Sequence, residues 1–247
     1  MNFTRRPASA VRFACRFLVL LPFAAAVQAD EWAPNLTTTA TWHGNATNAD
    51  ESDDQLDSLQ LNADILASQR YRLSRDNAVR LSAHFAGDWW PRYNGLLRGA
   101  AGGRAEFRHQ FGADPFAPEI AIEGAGDIVE ARESGRRGFG TAVTGSVRKR
   151  LDPLTRASVW HEVSWFNARL GTYDFGASET AYQVERDLTR VMRLTLTGRF
   201  RSGDIVTYAS GSRPDLEDRA PHRIETDTFD RPMTAYRLDA QTWSGRL

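Results

Sequence analysis

The chain is 247 residues long, with 31 basic and 31 acidic side chains and a single cysteine. That length suits one all-β domain or two small ones. Without the four arginines of residues 1–29, which read as a signal, 27 basic residues face 31 acidic ones. That acidic balance argues against nucleic acid as a partner, because a phosphate backbone wants a basic surface. One cysteine excludes a disulfide framework.

Residues 1–29 read as a secretory signal peptide. Arg5, Arg6, Arg12 and Arg16 make a basic start, and residues 17–27 (FLVLLPFAAAV) form an apolar run too short to span a bilayer. Val27-Gln28-Ala29 then supplies small residues for cleavage after Ala29. The alternative is a retained membrane anchor. Cys15 precedes the apolar run, so it is not the first residue of a mature lipoprotein and leaves with the signal. Losing those four arginines leaves 27 basic against 31 acidic residues, a net charge of −4. No later segment approaches 18 consecutive apolar residues, so no transmembrane helix is expected.

From there the chain alternates with a period of two, the signature of strands with unlike faces. About ten strands are expected. The first, near 36–43, puts Leu36, Thr38, Ala40 and Trp42 against Thr37, Thr39 and Thr41. After an acidic loop comes the clearest hairpin, 59–89. There Leu59, Leu61, Ala63, Ile65, Tyr71 and, past a turn at 74–77, Val79, Leu81, Phe85 and Trp89 share a face opposite Gln60, Asn62, Asp64, Arg70, Arg80, His84 and Asp88. The fourth strand sets Ala105, Phe107 and Phe111 against Arg104, Glu106 and Arg108; the fifth sets Ile120, Ile122 and Ile128 against Glu119, Glu123 and Asp127. The sixth covers 138–151, with Arg148 on its polar side; a turn at 152–155 containing Pro153 leads to the seventh, ending near Trp165. The eighth carries Glu179, Glu185 and Asp187, and the ninth Arg193, Arg199 and Arg201. Residues 202–232 read as a long polar segment. A last strand at 235–242 has Tyr236, Leu238 and Ala240 on its apolar side.

Three patterns narrow the class. Connections alternate short and long. Aromatics gather beside the long ones, with Trp42, Trp89, Trp90, Tyr93, Phe139, Trp165, Phe166 and Phe200 at strand ends. The polar parity also holds more charge than a soluble core tolerates. Together with the signal peptide and a cysteine-free mature chain, these features resemble a bacterial outer-membrane β-barrel over residues 32–247. The resemblance is to an architecture, and no motif selects a particular family. It implies an all-β, antiparallel transmembrane barrel in the cell outer membrane, with lipid, lipopolysaccharide and the barrel-assembly machinery as partners and no cofactor. Such barrels usually close on an aromatic residue, whereas this chain ends Trp243-Ser244-Gly245-Arg246-Leu247. Either the terminal signal is atypical, or the sequence stops short of a barrel of about twelve strands.

On that reading the lumen is lined by Arg104, Arg108, Glu119, Glu123, Asp127, Arg148, Glu179, Glu185, Arg193 and Arg199. Trp42, Trp89, Trp90, Phe139, Trp165 and Phe200 make the girdle at the lipid–water boundary. The charges either fill the lumen as cross-strand salt bridges, leaving a structural barrel with exposed loops, or filter small polar solutes, as in a porin-like channel. A lipid-modifying membrane enzyme is the alternative, yet Ser82 with His84 and Ser158, Glu162 and Ser164 form no nucleophile signature. No Asp-His dipeptide supports a barrel protease. A soluble periplasmic barrel holding an apolar ligand would turn its apolar parity inward. Asp50, Glu51, Asp53 and Asp54 read as a solvated loop, since they lack the glycine and terminal Glu of a calcium loop. No catalytic or metal-binding residue is therefore assigned.

Overall fold

In the computed structural model, which describes residues 32–211 and 213–246, the alternating segments become strands; the expected signal peptide lies outside those residues. In chain order they are β1 (Ala33–His43), β2 (Ser58–Arg72), β3 (Asn77–Trp89), β4 (Arg98–Gln110), β5 (Glu119–Ala131), β6 (Gly138–Arg150), β7 (Thr155–Ala168), β8 (Phe175–Asp187), β9 (Arg193–Ala209), β10 (Arg223–Thr226) and β11 (Met233–Arg246). All lie in one antiparallel sheet, ordered β1 to β9, then β11, then β10, and curled as a half-barrel. The described residues of β1 and β11 do not pair with each other.

One end has tight turns with side-chain locks. Ser74 Oγ accepts the N–H groups of Asp76 and Asn77 between β2 and β3. Between β6 and β7, Asp152 accepts those of Leu154 at 2.8 Å and Thr155 at 2.9 Å. The Leu154 N–H contributes most to holding the Asp152 carboxyl below its ordinary range. The other end carries the longer connections, four of which contain a single 3₁₀ turn: Ser52–Asp54, Asn94–Leu96, Ser134–Arg136 and Gly171–Tyr173.

The two faces of the sheet reverse the burial of a globular domain. Leu36, Leu81, Phe85, Phe107, Val143, Val147 and Leu194 are exposed, and Ile122 is 59% exposed. On the opposite parity His84 is only 4% exposed, Asp88 is buried, and Arg108 and Glu106 are largely shielded. Curling the sheet toward its charged side encloses that side and leaves the apolar side outermost.

The compact apolar packing lies at the long-loop end, where it forms a cap. At Gly203 (φ +149°) β9 leaves β8; a Cβ there would sit 2.3 Å from the Gly176 carbonyl. Asp204 Oδ2 then accepts the Gly176 N–H at 2.8 Å, replacing the lost ladder bond. Beyond this point Tyr208, Met233 and Ala235 pack with Tyr93, Leu96, Tyr173 and Phe229. Burying a large apolar side chain such as Leu96, Phe229 or Met233 contributes roughly 1.5–3 kcal/mol. The loop after β1 docks on the same hairpin: the Tyr208 N–H donates to Thr47 O at 3.0 Å and the Thr207 hydroxyl to Asn48 O at 2.7 Å.

Two sequence expectations need correction. The stretch 202–232 is not wholly loop: it holds the top of β9, a one-turn helix α1 (Pro214–Glu217) and β10. In the last strand the wall face belongs to the odd residues, because Trp243 pairs with Phe200 at a ring distance of 4.3 Å. Tyr236 is fully buried, against Ala209 and Leu216 on the α1 side.

Candidate functional site

Parity decides which residues face inward, and register decides which of them meet. All ten expected lumen residues share the parity opposite the exposed apolar wall, although Arg104, Arg148, Arg193 and Arg199 are themselves exposed there. Register then places Arg80, Glu106, Glu123, Thr144, Glu162, Glu179 and Arg201 in one row directly across β3 to β9. Four carboxylates thus share one level, with an arginine at each end. Like charges opposite one another repel, and neighbouring groups relieve part of this. Arg108 reaches Glu106 at 2.9 Å and Glu119 at 3.2 Å, while Arg199 lies 3.7 Å from Glu179. The Thr144 hydroxyl donates to Glu162 at 3.2 Å. Arg148 meets Glu119 only at 3.8 Å, Arg193 pairs with Asp187 at 2.6 Å, and Glu185 accepts from Gln183 at 2.7 Å. Arg104 sits opposite Ala125, between the levels of Glu123 and Asp127.

One contact spans two strands. His84 on β3 and Asp127 on β5 approach to 3.2 Å across Gly102 of β4. A Cβ at Gly102 would lie 1.9 Å from Asp127 Oδ1, so the pair exists because that position has no side chain. No described hydroxyl bonds to His84 Nδ1, so the dyad lacks the nucleophile that covalent catalysis needs. Nearby, Asp88 accepts from Gln60 at 2.7 Å, Asn62 at 3.1 Å and Arg98 at 2.5 Å.

The enclosed face holds two cavities. One, of about 410 Å³, lies under the cap; Glu123, Asp127, Glu162 and Arg104 line its polar part, and Phe166, Phe175 and Val206 its apolar part. The other, of about 470 Å³, lies toward the short turns and is lined by Arg148, Arg156, Arg193 and Glu185 among others. Thr144 lines both.

The cap itself is tied by Glu133. Tyr173 donates to its Oε1 at 2.7 Å, Thr226 to the same atom at 3.1 Å, and Thr228 to Oε2 at 2.5 Å. Burial pushes the Tyr173 phenol well above its ordinary range, with Tyr208 and the Glu133 carboxylate adding to the shift. Asp54 is 6% exposed and accepts from the Ser210 N–H at 2.9 Å and Arg231 at 3.3 Å. The expectation of a fully solvated acidic loop is therefore corrected at Asp54, which fastens the first loop to the segments just after β9 and just before β11.

No family model, curated protein or solved structure matches this chain. Function must therefore be read from the site itself.

Of the expected girdle, Trp42, Trp89, Phe139 and Trp165 are exposed on the outer parity, and Phe200 touches the exposed Trp243. Trp90 instead meets His43 in a tilted ring contact at 5.0 Å and packs against the cap, where Tyr93 is also buried. Phe166 turns inward onto Phe175, with centroids 5.5 Å apart. Sequence reasoning left Arg80, Glu162 and Arg156 out of the lining. Each follows the inward parity of its strand, so alternation alone was signal enough. Among the described residues, no group of three or more His, Cys, Asp or Glu converges as a metal site, and no helix is long and apolar enough to cross a membrane.

Proposed function

We propose that this chain forms the wall and outer cap of an outer-membrane β-barrel whose polar interior admits small polar solutes, as in a narrow porin-like channel. The observation that carries the reading is the reversed burial: large apolar side chains are exposed on one face, while His84, Asp88, Glu106 and Arg108 are shielded on the other. Acyl chains solvate such an outer wall, and a wet lumen solvates the charges. The short–long alternation of connections fits periplasmic turns and outer loops. The cap over the long-loop end favours a small conduit over a wide diffusion pore, and the carboxylate row favours cations at its level.

Lipid and lipopolysaccharide are then the surroundings, and the barrel-assembly machinery the insertion partner. Purified protein in planar bilayers tests the reading. Small conductance steps, altered by Arg104→Gln or Arg199→Gln, are expected. Absence of conductance across a salt series would refute the channel.

A further inference from the structure

The cavity toward the short turns has a different chemistry from the carboxylate row. Three guanidinium groups, Arg148, Arg156 and Arg193, line it against one carboxylate, Glu185. Arg156 stands directly opposite Arg150 on β6, like charges that share the field of the Asp187 carboxylate, which is itself bonded to Arg193. On its other side it faces Glu185, yet among the described residues no carboxylate lies within 4.0 Å of Arg156. Glu185 is engaged by the Gln183 amide at 2.7 Å. Arg148 has only its loose 3.8 Å contact with Glu119, while Arg193 is held by Asp187 at 2.6 Å. Ser146 and Ser158 offer hydroxyls beside these cations, and Trp160 supplies an aromatic wall.

We infer that this cavity is an anion-binding site for a small organic acid, a carboxylate or phosphate monoester carrying a flat or apolar body. Arg156 and Arg148 hold the oxyanion through charge-assisted hydrogen bonds, Ser146 and Ser158 donate to its remaining oxygens, and Trp160 packs on the body. The fork of a guanidinium matches the paired oxygens of either group. The volume of about 470 Å³ accommodates a molecule of several carbons beyond the charged head.

This deepens the reading of a polar interior, but its test needs neither a membrane nor conductance. Phenyl phosphate, benzoate and phenyltrimethylammonium are titrated against detergent-solubilised full-length protein, by calorimetry and tryptophan fluorescence. Saturable binding of at least one anion, with none of the cation, is expected. Phenyl phosphate against benzoate separates a phosphate site from a carboxylate site. Arg156→Gln should weaken binding roughly tenfold or more, the worth of one charge-assisted hydrogen bond. Arg156→Lys should restore part of it, and Arg148→Gln serves as a second, independent variant. Arg75→Gln, in the β2–β3 turn, should leave affinity unchanged. Trp160→Phe should remove the fluorescence response while calorimetric binding persists. The inference is overturned if no anion binds saturably, if the cation binds equally well, or if Arg156→Gln and Arg148→Gln both bind as tightly as the parent. A protein that binds the anion yet never conducts would refute the channel and leave this site standing.

Discussion

Replacing Gly102 with alanine tests how the enclosed face is assembled. The added Cβ would lie 1.9 Å from Asp127 Oδ1 and 2.3 Å from the Gly126 carbonyl, whereas real Cβ contacts stay beyond 3.0 Å. The carboxylate can rotate away, but the carbonyl belongs to a strand held on both sides, and must move by about 0.7 Å (3.0 less 2.3). Overpacking of this kind costs about 1–3 kcal/mol. Turning Asp127 away also leaves His84, which is 4% exposed, without its partner, a further ~1–3 kcal/mol. The sum is about 2–6 kcal/mol. With a urea dependence of about 2–3 kcal/mol per molar, the unfolding midpoint should fall by about 1–3 M. Gly124→Ala is the matched control, because its Cβ would meet nothing within 4 Å. Urea unfolding followed by tryptophan fluorescence measures both. Equal midpoints for Gly102→Ala and the parent, or equal losses in the two variants, would refute the reasoning.

Other outcomes follow from the same geometry. Tyr173→Phe removes the bond to Glu133 and should loosen the cap by about 1 kcal/mol, seen as faster proteolysis within residues 210–222. Burial raises the Tyr173 phenol above its unfolded value, so its contribution is complete below about pH 10 and is lost as the pH rises further. Alkaline loosening of the cap should accordingly weaken in Tyr173→Phe. Asp152 has the opposite sign: its carboxyl is held low, so the β6–β7 turn is secured above about pH 4 and released as acid titrates it. Asp152→Asn should flatten that acid dependence in hydrogen exchange of Leu154 and Thr155. Glu123→Gln with Glu162→Gln should lower the cation-to-anion permeability ratio, read from reversal potentials; an unchanged ratio would remove the carboxylate row from selectivity.

Much of the sheet was legible because alternation is a local signal. The runs from Leu59 to Trp89 and from Gly138 to Trp165 keep their period through turns whose residues announce themselves. What alternation cannot supply is register. Sliding β7 against β8 by two residues would preserve every inward side chain yet separate Glu162 from Glu179, so the carboxylate row was invisible. The cap was missed for another reason. Gly203 and Asp204 interrupt the pattern of β9, so Ile205, Val206 and Tyr208 read as loop, although Asp204 repairs the interruption with its own carboxylate. Tyr236 and Leu238 looked like wall residues because apolar character does not say whether lipid or a neighbouring helix covers it. The same ambiguity hid the inward turn of Trp90 and Tyr93.

The central claim is that the apolar face meets acyl chains while the charged face meets water. Cys15 is the only cysteine, so a Cys15→Ser background allows single cysteines at Phe85, Val143 and Val147 on the outer face and at Ser82, Thr144 and Ser146 on the inner face. Spin labels in lipid vesicles should show high accessibility to oxygen at the first three and to a water-soluble nickel chelate at the second three. Nickel accessibility at Phe85, Val143 and Val147 matching that of the inner positions would contradict the account.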